Sequence, residues 1–166
     1  MNNLEQLIDT LLMKIESPVN QAKRNLPAPR ITSYLENLGW VQYFQYDMND
    51  FFNDAAFNCE MQLKQKLCQF ERFDDDTMLD ANISASTGMY FEYTLFGMSV
   101  KHQSDGVPLI QNDHPLTKSA DLSLLSRHDF YTTGDMPRVF QLWDELQAIS
   151  KGRHNVIFPT WGRGPL

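Results

Sequence analysis

The sequence predicts an α/β fold that contains at least two parallel strands. Residues 156–158 form a short apolar run of strand-forming residues, and residues 77–84 have the pattern of an earlier buried strand. Between them, the apolar residues that follow Pro137 recur at helical spacing, so we expect a helix over 137–150. A strand, a crossover helix and a second strand form the unit of a parallel sheet, and the crossover is expected to be right-handed.

Two longer helices are predicted before the first of these strands. The apolar spacing favours a helix over 3–16, which Pro18 ends, and a solvated connector over 17–30. Residues 47–70 are expected to form one continuous helix, because a single face carries the apolar residues Phe52, Ala55, Ala56, Cys59, Leu63, Leu67 and Phe70.

Two other stretches are less regular. Residues 31–46 are aromatic, and their spacing fits either a helix that ends at Gly39 or a patch of packing side chains. Residues 97–102 and 107–110 are expected to pair as a hairpin, because the turn-forming Ser-Asp-Gly sequence that ends at Gly106 separates them.

Composition and charge exclude some classes of partner. The net charge of −7 disfavours nucleic acid, and the sequence has neither a membrane-length apolar run nor a secretory signal pattern. Cys59 and Cys68 share a predicted helix, which separates them by about 13 Å. A disulfide needs Cα atoms within about 7 Å, so both thiols are expected to be free. We therefore expect a cytoplasmic protein with no nucleic-acid or membrane partner.

The turn after the last predicted strand carries the most informative polar residues. Arg163 follows a buried strand, where parallel sheets hold ligands, and its guanidinium suits bidentate binding of a carboxylate. Trp161 offers a flat apolar wall beside it, and Thr160 lies in the same turn. These three residues are candidates for substrate binding. The alternative, that Arg163 pairs with a nearby acid for structure, stays open at this point.

Asp80 and Asn82 lie near the end of the earlier predicted strand. We consider Asp80 a candidate catalytic residue and Asn82 a candidate substrate-binding residue, although capping or anchoring is the commoner role for such side chains. The sequence has no nucleophile elbow, phosphate-binding loop or paired metal-ligand motif, so no metal site is predicted. The four histidines are scattered, and each is expected on the surface or in a loop.

Four short segments occur in an order that resembles a known family. They are residues 73–83 (FDDDTMLDANI), 92–100 (EYTLFGMSV) with 105–108 close behind, 115–125 leading to Asp129-Phe130, and 158–166 (FPTWGRGPL). Together they resemble the N-terminal part of the uroporphyrinogen decarboxylase superfamily, over about residues 47–166. That superfamily also contains methyltransferases that move a methyl group between a corrinoid and a thiol.

The resemblance implies a partial (β/α) barrel at residues 47–166, preceded by an N-terminal helical extension at 1–46. A complete barrel of this type needs about 200 residues or more, so we expect this chain to hold only the first three or so strands and to be inactive alone. In a complete barrel, Arg163 would hold a carboxylate of a tetrapyrrole. Asp80 would stabilise the cation formed before carbon dioxide leaves, in a reaction that needs no cofactor.

Two alternatives to a decarboxylase remain open. The first is a methyltransferase; the related methyltransferases use zinc and a corrinoid, but their zinc ligands lie in the C-terminal half of the barrel. The arginine-rich strand of the decarboxylases is not reproduced at residues 30–34. The second alternative is a non-enzymatic fragment. Such a fragment would have an unpaired sheet edge and would self-associate or need a partner, so we expect a homo-oligomer.

Overall fold

The structure, a computed structural model, describes residues 3–88, 91–122 and 129–158. Within these ranges the strands are β1 (Asn82–Ser84), β2 (Val100–Lys101), β3 (Leu109–Ile110) and β4 (Asn155–Ile157). A short 3-10 helix spans Pro115–Thr117. The α-helices are α1 (Asn3–Ile15), α2 (Pro18–Arg24), α3 (Asn37–Phe44), α4 (Met48–Asn53), α5 (Ala55–Arg72), α6 (Phe91–Thr94) and α7 (Met136–Ser150).

Two pairs of strands match the pairings expected from the sequence. Strands β1 and β4 are parallel, with Asn82 opposite Asn155 and Ser84 opposite Ile157, and the chain between them includes α7. Strands β2 and β3 pair antiparallel as a hairpin. Closure of further strands into a barrel stays a prediction.

Helix α5 lies at the centre of the main hydrophobic core. Its apolar face packs against α1, α7 and β1, and the buried members of this core are Ile8, Leu11, Ile15, Ala55, Cys59, Leu63, Leu67, Leu79, Ile83, Ala85, Leu142 and Leu146. Each large aliphatic side chain buried in this way stabilises the fold by about 1.5–3 kcal/mol. Helix α1 therefore shares its core with the parallel strand pair, whereas the predicted domain division after residue 46 stays a prediction.

The aromatic stretch before α4 is helical and packs as a second core. Trp40 on α3 is buried and stacks on Phe44 and Phe73, with ring centroids 5.7 and 6.2 Å apart. The expectation that Gly39 ends this helix was wrong, because α3 continues to Phe44. Gln45, with φ of 54°, ends the helix in the left-handed conformation that often terminates helices.

Two predicted helix boundaries were also wrong. Pro18 does end α1, but the connector expected at 17–30 begins with α2, where Pro18 occupies the first turn and Ser17 Oγ accepts from Asn20 N at 3.3 Å. The helix expected over 47–70 is two helices. Asp54 is extended and caps α5, with Oδ1 accepting from the amides of Ala56 and Phe57 at 2.9 and 3.0 Å.

The strand expected over 77–84 is reduced to β1, because side-chain amides replace a neighbouring strand along its outer edge. The fully buried Asn20 accepts from Leu79 N at 2.8 Å and donates to Leu79 O at 3.2 Å. Gln62 of α5 does the same at Ser84, accepting from its N–H at 2.8 Å and donating to its carbonyl at 2.9 Å. Each amide therefore satisfies both backbone groups of one residue.

The outer edge of β4 also receives a side-chain hydrogen bond. The backbone groups of Asn155 and Ile157 bond to β1, since Asn155 N donates to Ala81 O and Ala85 N donates to Ile157 O. The backbone carbonyl of Val156 points away from β1, and the indole Nε1 of Trp143 donates to it at 3.2 Å. A further strand beside β4 would have to displace this indole.

The three successive aspartates at residues 74–76 join two segments of the fold. Asp76 and Ile31 exchange two hydrogen bonds, and Asp75 accepts from Ser33 N at 2.8 Å. Partial burial would raise the pKa of Asp75, but hydrogen bonds from Ser33 and Thr77 outweigh it and lower this pKa to about 2. These contacts hold the extended segment before α3 against the end of α5.

We expect Gln62→Ala to lower the free energy of unfolding by about 1–3 kcal/mol, because it leaves the partly buried N–H and C=O of Ser84 without their side-chain partner. Urea denaturation followed by circular dichroism measures the change. Gln141→Ala is the matched control, since Gln141 is exposed on α7 and bonds only to Glu145, and it should cost less than about 0.5 kcal/mol. Equal losses in the two variants would contradict the bridging role of Gln62.

Candidate functional site

The carboxyl ends of β1 and β4 meet at one edge of the parallel pair, which we call the carboxyl edge. Residues 85–88 follow β1 there, and Phe158 follows β4. Helix α7 returns the chain between two parallel strands, so its N-terminus lies at the same edge. Open parallel sheets bind ligands at this edge, so a ligand site is expected here.

Helix α6 is held against the N-terminus of α7. Asp135 N donates to Thr94 Oγ1 at 2.8 Å, which satisfies one of the free amides at the start of the helix. Gly134 has φ of 60°, and an added Cβ would clash with Thr94. The close approach of the two segments therefore requires glycine at this position.

Arg138, in the first turn of α7, is a half-buried cation at this edge. Its Nη2 donates to Phe52 O at 3.0 Å, and its Nη1 lies 3.3 Å from His102 Nε2. No carboxylate of the described residues forms an ion pair with it. Burial lowers the pKa of Arg138, with the charge of Asp135 acting against the shift. An arginine remains charged in a protein, so this guanidinium is a cation that feels the charge of Asp135 but has no carboxylate of the described residues in contact with it.

His102 is the partner of Arg138 and is held neutral. Burial lowers its pKa, and the positive charge of Arg138 lowers it further. Because a guanidinium can only donate, Nε2 of His102 accepts and Nδ1 carries the proton. That Nδ1–H is buried and has no hydrogen-bond partner in the described part of the chain. The expectation of a surface or loop position holds for His102, which follows β2 in the loop of the hairpin, although its ring is partly buried.

Two more buried polar groups lie on segments of the carboxyl edge. Thr87, three residues beyond β1, buries its Oγ1 without a partner among the described residues. Glu92 of α6 buries both carboxylate oxygens, again with no hydrogen bond within the described ranges. Buried polar groups without partners are rare in native proteins and often mark functional positions. Sequence reasoning missed Glu92, Arg138 and Thr87, because nothing in their spacing signals burial.

The structure places Asp80 and Asn82 at the opposite, amino end of β1. Asp80 forms an ion pair with Lys66 of α5 and accepts from Asn82 N at 3.0 Å. Burial would raise the pKa of Asp80, but the hydrogen bond and charge of Lys66 lower it overall. Asn82 accepts from Asn155 Nδ2 at 3.3 Å. Asp80 is thus an ionised, paired carboxylate, about 16 Å from the carboxyl edge at 3.3 Å per residue.

A buried histidine lies close to these residues. Nδ1 of His154 is 3.2 Å from Ala81 O, and its Nε2 is buried without a hydrogen-bond partner in the described part of the chain. Burial is the largest cause of a lowered pKa at His154. His154 lies in the loop between α7 and β4, as the expectation of a surface or loop position allows, although its side chain is buried.

The remaining predicted site residues, Thr160, Trp161 and Arg163, lie outside the described residues. Phe158, the last described residue, is at the carboxyl edge. Its ring lies 5.3 Å from that of Phe140 and 6.5 Å from that of Trp143, between centroids. The predicted binding roles of the three residues stay predictions.

No family model, curated protein sequence or solved structure matches this chain.

Across the described ranges, no group of three His, Cys, Asp or Glu side chains is placed to hold a metal ion. Among those residues there is also no helix with the length and apolar character needed to cross a membrane. The two cysteines are free, as expected, and burial raises the pKa of Cys59 to about 11.

We expect His102 to titrate below the ordinary histidine pKa of about 6.5. Because the unfolded chain then binds protons that the folded chain does not, His102 should lower stability as the pH falls through about 6.5, and contribute nothing well above it. NMR titration of the imidazole measures the pKa directly. In Arg138→Gln the neighbouring cation is lost, so the pKa of His102 should rise. A pKa at or above 6.5 in the unmodified chain would contradict this assignment.

Proposed function

We propose that this chain binds a carboxylated small molecule at the carboxyl edge of the β1–β4 pair. With the remaining strands of a (β/α) barrel, we propose that it acts on a carboxylated tetrapyrrole as a uroporphyrinogen decarboxylase-like carboxy-lyase. The observation that carries the proposal is Arg138, a half-buried guanidinium without a carboxylate partner among the described residues. A cytoplasmic location is part of the proposal and is consistent with the free thiols Cys59 and Cys68.

Arg138 has the properties expected of a carboxylate-binding residue. Its bonds to Phe52 O and His102 fix the guanidinium without neutralising it. It lies in the first turn of a 15-residue helix, where the helix dipole also favours an anion. An arginine binds a carboxylate through two parallel hydrogen bonds, which orients the ligand as well as holding it. Arg163 is the second basic residue proposed for this role.

Decarboxylation requires that the bond to the departing carboxylate break, with its electron pair passing to a protonated ring. A nearby carboxylate stabilises the positive charge of that ring before carbon dioxide leaves. Asp80 was the residue proposed for this task, and Asn82 was proposed to bind substrate. Their position at the amino end of β1 and the ion pair with Lys66 support an anchoring role more directly.

We expect Arg138→Ala to weaken binding of uroporphyrin about 10-fold or more, because a charged hydrogen-bonding partner is lost. Quenching of tryptophan fluorescence in a titration measures the dissociation constant. Arg72→Ala removes the same charge from an exposed position at the end of α5, and it should change the constant less than twofold. The absence of saturable binding, or equal effects of the two variants, would contradict the proposal. Arg163→Ala tests the second arginine in the same way.

Self-association is a second candidate function, favoured by one specific observation. The stretch 31–43 exposes several large apolar side chains, with Ile31 at 75% and Tyr34 at 73% exposure and Leu38 and Tyr43 at 50%. Contiguous exposed apolar surface commonly marks an interface. We propose that a second copy of the chain covers this stretch in a homo-oligomer.

Light scattering after size-exclusion chromatography should therefore show an oligomer. The double variant Tyr34→Ser with Leu38→Ser should shift it to monomer, because it removes apolar surface that the second copy would bury. Tyr131→Ser, an exposed tyrosine outside the stretch, is the matched control and should leave the oligomer intact. A monomeric unmodified chain would exclude this interface.

A further inference from the structure

The segment that carries α6 borders a pocket distinct from the site at Arg138. The pocket has a volume of about 280 Å³ and is lined by Glu92, Tyr93, Phe96, Met98 and His114. We propose that it binds a small organic cation, such as a primary ammonium ion attached to an aromatic group. This inference is independent of the function proposed above.

The two walls of the pocket are fixed by local contacts. Gly97 has φ of 79°, and it turns the chain after α6 so closely that an added Cβ would lie 3.3 Å from Pro115 Cγ. Ser99 N donates to Asp113 Oδ1 at 3.0 Å, which joins the same two segments one step further along. The pocket is therefore a built feature of the fold rather than a gap between mobile loops.

Glu92 gives the pocket its preference for a cation. Both of its carboxylate oxygens are buried, and neither has a hydrogen-bond partner among the described residues. A negative charge in such surroundings acts strongly on a nearby cation, because little water screens it. Asp113 adds a second negative charge behind the other wall; hydrogen bonds from Ser99 lower its pKa and keep it ionised.

The other side chains suit an aromatic ammonium ion. Tyr93 and Phe96 provide aromatic surface, which attracts a cation at the ring face and packs against an apolar group. Met98 supplies an adaptable apolar contact. His114 accepts from Leu116 N through Nδ1 at 3.1 Å, so its Nε2 carries the proton in the neutral ring and adds no second acceptor. Glu92 therefore attracts the ammonium group through its charge, since its buried oxygens are not exposed to the pocket for direct contact.

Isothermal titration with benzylammonium tests the proposal, with benzyl alcohol as a neutral ligand of the same shape. We expect benzylammonium to bind at least 10-fold more tightly, and Glu92→Gln to abolish that preference. Glu36→Gln removes the same charge from an exposed position before α3, and it should retain the preference. Equal binding of the two ligands, or equal effects of the two variants, would overturn the assignment.

A second variant keeps the test decisive if Glu92→Gln fails to fold in a thermal melt. Phe96 is 46% exposed, so Phe96→Leu removes an aromatic face with little effect on the core. It should weaken benzylammonium about threefold while leaving benzyl alcohol nearly unchanged. No binding of benzylammonium to the folded, unmodified chain would also overturn the proposal.

Discussion

The architecture depends on two side-chain amides that take the place of a missing strand. Asn20 and Gln62 each bond to both the N–H and the C=O of one backbone residue in the segment 79–84. Asn58 supports Gln62 by accepting from its Nε2 at 2.5 Å, and in turn donates to Phe51 O. Asn20 thus joins α2 to the start of segment 79–84, and Asn58 and Gln62 join the α4–α5 corner to its end. Together these amides hold β1 against the helices.

That arrangement determines where ligands can enter. The outer edge of β1 is occupied by Gln62, and the outer edge of β4 by the indole of Trp143. The amino end of β1 is occupied by the Asp80–Lys66 ion pair. The carboxyl edge holds three side chains that bury polar atoms without partners within the described residues, Thr87, Glu92 and His102, whereas the amino end of β1 has one such side chain, His154. The concentration of such groups at the carboxyl edge points to a binding role there.

The sequence predicts much of the fold but little of the site. Apolar spacing identified α1, α5 and α7, and the strand–helix–strand order identified the parallel pair, because these patterns are local and periodic. The roles of Asn20 and Gln62 were not predictable, since a buried amide and an exposed one look alike in sequence. Asp80 was assigned to the wrong end of its strand, because the strand was expected to be five residues longer at its start.

Arg138, His102 and Glu92 were missed for a related reason. Each lies on a helix or hairpin whose own pattern is ordinary, and each is buried only because another element covers it. Phe52 and the hairpin cover Arg138, and Asp135 holds α6 in place through Thr94. Burial of this kind is a tertiary property, so single-sequence patterns carry no signal for it.

Arg138 and Glu92 carry opposite charges beside the same helix terminus, yet they do not pair. Arg138 is held toward Phe52 O and His102, while the backbone of α6 fixes Glu92 through the contact of Thr94 with α7. Partly buried charges without an ion-pair partner are destabilising relative to paired ones. In the two proposed sites, an anion at Arg138 and a cation at Glu92 would supply the missing partners.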